Sequence, residues 1–170
     1  MDWEALKLAD SQTVESKLWN LDIANEIAEG LQLNELQRSA EALLELGMKF
    51  EKKHSIVLRA WQLLHDIEVL CQGIESSKDA LSFFYASLKE HNENADVVSS
   101  SCELLCMLAN KKMLTGDLVD DTFLTLVISE LSSHAHSNPV KRATLSILLT
   151  LTRQGHKRMY DNKKILSELL

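Results

Sequence analysis

Apolar residues recur at three- and four-residue steps through almost the whole chain, and nowhere does a two-residue alternation persist. The pattern predicts helices throughout. The first clear one follows Asp10, Ser11 and Thr13, all good N-caps, carries Val14, Leu18, Leu21 and Ala28 along one side, and ends at Gly30. A second is capped by Asn34, with Gln37 at the capping-box position, and buries Leu36, Ala40, Leu43 and Leu44. The polar run Glu51-Lys52-Lys53-His54 reads as a loop, with Ser55 opening the next helix. Polar clusters at Ser76-Ser77, His91 to Asn94, Thr115 to Asp117 and Ser137-Asn138-Pro139 mark further connections, Pro139 fitting a first helical turn. The fold class is all-α with short connections.

Laid over one another, the helices share a register. One set begins at Ile56, Val97 and Val140, with apolar or small residues at +4, +7, +8 and +11. These are Ala60, Leu63, Leu64 and Ile67; Ser101, Leu104, Leu105 and Leu108; and Thr144, Ile147, Leu148 and Leu151. A second set begins at Leu36, Leu81, Leu124 and Leu166, followed at +4 by Ala40, Tyr85, Ile128 and Leu170, and at +7 by Leu43, Leu88 and Leu131. Two helix families thus share one period of about 42 residues, in the range of two- and three-helix repeats. Such a unit cannot hide its apolar face alone; stacked neighbours build a continuous core.

The run Ile147 to Thr152, then Arg153 to Asp161, then Lys163 to Leu170 resembles the armadillo passage from third helix, through a short first helix, into the second. Leu105 to Asn110 and on through Leu131 is similar, with Gly116 near the turn. The resemblance implies a right-handed α-α superhelix over residues 33–170, about three repeats with the last incomplete, preceded by an N-terminal capping region over residues 1–32. Trp3, Trp19 and Ile23 fall outside the register and are expected to pack as that cap. Armadillo domains bind extended peptides or partner helices along the concave face of their third helices. In the nuclear-import receptors of this family that face carries Trp and Asn ladders. Here the corresponding rows are Gln62, Glu103 and Ser146, and Asp66, Met107 and Thr150, so neither ladder is present. Helical geometry adds Arg59, Ser100 and Ala143, and Leu70, Asn110 and Arg153, to the same face. The partner-binding candidates are therefore Arg59, Gln62, Asp66, Ser100, Glu103, Met107, Asn110, Ser146, Thr150 and Arg153.

Composition narrows the function classes. With 170 residues, 45% apolar and 25% charged, the chain is long enough to bury its own core. The net charge of −7 is polarised: residues 1–133 carry 23 acids against 11 bases, residues 134–170 only 2 against 7. An acidic balance argues against a generic nucleic-acid binder. No apolar stretch approaches the roughly 18 residues a membrane span needs, and the start Met1-Asp2-Trp3-Glu4 lacks the features of a secretory signal. Three cysteines, an odd number, point to a reducing compartment, cytoplasm or nucleus. Cys102 and Cys106 with His134 and His136 lack the close Cys-x-x-Cys spacing of a structural zinc site, so buried thiols are expected, Cys71 included, and no metal or cofactor. Asp117, Asp120 and Asp121 read as acids at a helix N-terminus. No nucleotide fingerprint, phosphate loop or nucleophile elbow occurs, so catalysis is not expected.

The expected function is a non-enzymatic scaffold for a protein or peptide partner. Two other readings remain open. One is a superhelical trafficking adaptor, for which the short basic pairs Lys52-Lys53, Lys111-Lys112, Lys157-Arg158 and Lys163-Lys164 could meet anionic head groups. The other is self-association through the apolar end Ile165 to Leu170, which also suggests a piece of a longer protein.

Overall fold

The computed structural model describes residues 1–30, 32–71, 74 and 76–155, apart from the side chains of 27, 28 and 71. Among these residues there are nine α-helices and no strand. They are α1 (Trp3–Leu8), α2 (Ser11–Trp19), α3 (Ile23–Ala28), α4 (Leu33–Lys49), α5 (His54–Cys71), α6 (Ser77–His91), α7 (Ala95–Asn110), α8 (Asp121–Ser133) and α9 (Asn138–Arg153). The chain divides into two compact units, Met1–His91 and Asn92–Leu170. Leu166, Leu170 and the basic pairs Lys157-Arg158 and Lys163-Lys164 lie outside the described residues.

The apolar register survives in three dimensions. Every residue assigned to the stripes from Ile56, Val97 and Val140 is fully buried. In the second set Tyr85 alone of the described members is half-buried. The helix starts carry the same register. The first backbone bonds of α5, α7 and α9 run from Val57 to Lys53 O, Val98 to Asn94 O and Lys141 to Ser137 O. Asn94 and Ser137 also cap with their side chains, taking the N–H of Val97 at 3.2 Å and of Val140 at 3.5 Å. Those two stripes therefore begin at the same helical position, 43 residues apart.

A second recurrence lies in the loops. At the end of α6, Nε2 of His91 is 2.6 Å from the Glu51 carbonyl oxygen. At the end of α8, Nε2 of His134 is 2.6 Å from that of Asn92. A carbonyl only accepts, so each imidazole donates from Nε2. Both histidines stand ten residues after the start of their stripe, and both carbonyls two residues before the next long helix's first hydrogen-bonded carbonyl. Each ties a helix end to the loop before the preceding long helix.

In the first unit α5 packs against α4, α2 and α3, and α4 also meets α6 and α1. α4 and α6 pack tightly at Gly47, where any Cβ would stand 2.2 Å from the Phe83 ring. Phe83 stacks in turn on Trp61, centroids 4.4 Å apart. Glycine costs helix propensity at Gly47 but admits this aromatic pair. In the second unit the most extensive contact is α7 on α9, with α8 packed against α9.

Four sequence expectations change. The helix expected from residue 11 to Gly30 is two: α2 ends at Trp19, and Asp22, accepting the Asn25 N–H at 3.2 Å, starts α3. Asn20 assists the break by bonding back to Ser16 O, local polar competition of the kind that ends helices. The cap of α4 lies two residues before Asn34. It is Gln32, whose N–H donates to the Glu35 carboxylate at 2.9 Å, so the acid that fits the capping box decides the boundary. Trp19 is 46% exposed at the end of α2 rather than in the core, because Val14 and Leu18 fill the inward side. His54, read as loop, is the first residue of α5. The acids before α8 take the expected role, Asp120 capping it by accepting the Phe123 N–H at 2.8 Å.

Leu105→Ala and Leu148→Ala should each cost about 2–5 kcal/mol as buried truncations, whereas Leu149→Ala, at an exposed position, should stay within about 0.5 kcal/mol. Urea titrations followed by circular dichroism would rank the three.

Candidate functional site

The candidates fall on three long helices: Arg59, Gln62 and Asp66 on α5, Ser100, Glu103, Met107 and Asn110 on α7, and Ser146, Thr150 and Arg153 on α9. Asp66, Asn110 and Arg153 are exposed; the other seven are half-buried. Ala143, read onto the same face, is buried. It sits where α9 turns inward, beside Ile147 of the apolar stripe.

In the first unit, Arg59 is engaged from within. Its Nε donates to Leu18 O at 3.1 Å and its Nη2 to Leu21 O at 2.7 Å. The guanidinium lies 5.4 Å from the Trp19 ring centroid, while Nη1 reaches Gln62 Oε1 at 3.4 Å. The rigid fork of arginine matches this corner, because the carbonyls between α2 and α3 converge on one planar cation. Asp66 stands 3.7 Å from His65 Nδ1, at the surface.

In the second unit, the candidates meet one another. The Arg142 guanidinium is 3.5 Å from the Glu103 carboxylate. Thr150 donates its hydroxyl to Asn110 Oδ1 at 3.3 Å and lies 3.8 Å from Cys106 Sγ. Gln154 Nε2 donates to Ala109 O at 2.5 Å. Each pair is separated by 39 to 45 residues, values that bracket the 43-residue offset of the two stripes, so α7 and α9 run parallel. Among the described residues Ser100, Met107 and Ser146 take no part in these contacts and stay half-buried alongside them. Arg142, Cys106 and Gln154 were not among the sequence candidates. Their signal is the repeat spacing to Glu103, Thr150 and Ala109, visible only once α7 and α9 are known to touch.

Among the described residues the cysteines and histidines do not converge, and no group of three metal-ligating side chains forms. Cys102 is buried, and its desolvation, with Glu130 nearby, pushes the thiol far above its ordinary range; burial also raises Cys106. Glu130 is itself only 4% exposed, and its Oε2 has no hydrogen-bond partner among the described residues. His134 Nε2 lies 3.7 Å away but already donates to Asn92. Burial holds the Glu130 carboxyl above the usual range, against an opposing pull from His134.

Among the described residues no helix is long and apolar enough to cross a membrane. No protein-family model matches this chain, and neither a curated protein nor a solved structure does.

Two outcomes follow from these geometries. A carboxyl raised in the folded state supports folding fully below its unfolded pKa, and that support is lost as pH rises through the folded value. Glu130→Gln should therefore raise the melting temperature at pH 8 relative to the parent, with the gap closing toward pH 4. An equal gap at both pH values would count against a buried, ionising Glu130. Arg59→Ala should cost roughly 1.5–3 kcal/mol, the range for hydrogen bonds to a charged group, and should speed amide hydrogen exchange first over α2 and α3.

Proposed function

We propose that the helix pairs are armadillo-like repeats and that the protein is a non-enzymatic interaction scaffold. It grips an extended peptide or a partner helix along the face carried by α7 and α9. The observation that carries this reading is the parallel packing of α7 on α9, with polar groups joined along the seam at separations of 39 to 44 residues, either side of the repeat period. Beside that seam Ser100, Met107 and Ser146 stay half-buried, each with part of its surface open to a ligand. An apolar Met among small hydroxyls offers one adaptable contact and several hydrogen-bonding positions, a combination suited to peptide backbone and side chains. A rigid helical support beneath them keeps the row pre-ordered, which lowers the ordering cost of binding. In the first unit, Arg59, Gln62 and Asp66 on α5 are the matching row.

The test is selection of peptides from a displayed library on the full chain, then photo-crosslinking from probes placed at Ser100 and Ser146. Selected peptides should crosslink at both positions. Glu103→Arg should weaken them about tenfold or more, each decade being about 1.4 kcal/mol. Melting should stay nearly unchanged, because the Glu103–Arg142 pair is solvent-exposed and such pairs contribute about 0–1 kcal/mol. Peptides that crosslink elsewhere and ignore Glu103→Arg would refute the proposal.

A further inference from the structure

The register shared by α7 and α9 marks out a side of α9 whose counterpart on α7 is filled. Glu103, Cys106, Ala109 and Asn110 are the positions by which α7 receives α9. Forty-three residues on, the offset between Asn94 and Ser137, they become Ser146, Leu149, Thr152 and Arg153. Ser146, Leu149 and Arg153 form one stripe at steps of three and four; Arg142 stands at its N-terminal end and reaches back to Glu103, whereas Thr150 and Gln154, which also touch α7, lie about 100° further round the helix. On that stripe Leu149 is 45% exposed and Arg153 is exposed. Among the described residues no carboxylate pairs with Arg153.

We propose that this stripe is a docking site for a partner's acidic amphipathic helix, laid parallel to α9 as α9 is laid on α7. The residues dictate the partner's chemistry. In α7, a thiol and an amide at Cys106 and Asn110 receive the small neutral hydroxyl of Thr150. In α9, a leucine and an arginine take those two places. A residue meeting both needs an aliphatic stem over Leu149 and a carboxylate on Arg153, which a glutamate supplies. Charge agrees: α9 carries Lys141, Arg142 and Arg153 with no acid, and among the described residues only Arg142 is met, by Glu103. The stripe shares Ser146 with the groove proposed above, but its two anchoring contacts, Leu149 and Arg153, lie outside the positions that reading uses, so the two tests fail independently.

The probe is a synthetic helix copying Asn138–Arg153 with Thr150→Glu in the peptide, compared with the same peptide carrying Thr150→Lys. Binding to the 170-residue chain is read by fluorescence anisotropy. The glutamate peptide should bind about tenfold tighter than the lysine peptide, each decade being about 1.4 kcal/mol. High salt should weaken it. Arg153→Glu in the protein should reverse the order of the two peptides, and Leu149→Asp should weaken both. Absence of binding by either peptide would overturn the proposal. So would equal binding that Arg153→Glu leaves unchanged. A protein that sediments as a dimer, and as a monomer once Leu149 is replaced by Asp, would assign the stripe to a second copy and overturn it as well.

Discussion

Everything in this chain depends on a constraint of size. A sixteen-residue helix with one apolar stripe cannot bury that stripe by folding on itself, so its stability comes from a neighbour with a stripe of the same pitch. In the second unit that neighbour is α9 for α7. The stripes Val97 to Leu108 and Val140 to Leu151 are buried at every register position. The caps at Asn94 and Ser137 bring the two helices in at the same phase. Once the apolar residues are committed, the residues at the edge of the seam have little freedom. Glu103 meets Arg142 and Asn110 meets Thr150 because the packing has already aligned them.

The N-terminal helices answer the same constraint differently. Nothing in residues 1–30 copies the long stripes, yet α5 is covered by α2 and α3. The corner between these short helices presents the carbonyls of Leu18 and Leu21, and Arg59 supplies donors to both. A side chain that sequence position assigns to a binding row is thus also a structural clamp. Trp19 completes the arrangement from the solvent side, its ring beneath the guanidinium.

The long helices were legible in the sequence because a 3.6-residue apolar period survives any tertiary context that buries one face. Boundaries were less so. The break at Asn20-Leu21-Asp22 follows from two short side chains bonding locally, and its apolar residues still sit at helical spacing, so the pattern alone runs straight through it. Gln32 is a poor cap by residue type and works through Glu35. Of the site, the rows on α7 and α9 could be placed, but not which members are used up in holding the helices together. Arg142, Cys106 and Gln154 emerge only from the contact. The histidine ties at His91 and His134 recur at a constant register position, and their carbonyl partners carry no side-chain signature that a sequence could display.

At one register position the two units trade volumes. Trp61 in α5 fills its place and donates its indole N–H to small Ser87 at 3.0 Å. At the corresponding place in α7 stands Cys102, with Glu130 close by where Ser87 would be. Large is set against small in one, small against long in the other. An averaged repeat, built by taking the commonest residue at each column independently, would set an indole against a glutamate inside a closed core. Such columns must be inherited together, and any attempt to lengthen or idealise this chain has to treat them as a single letter.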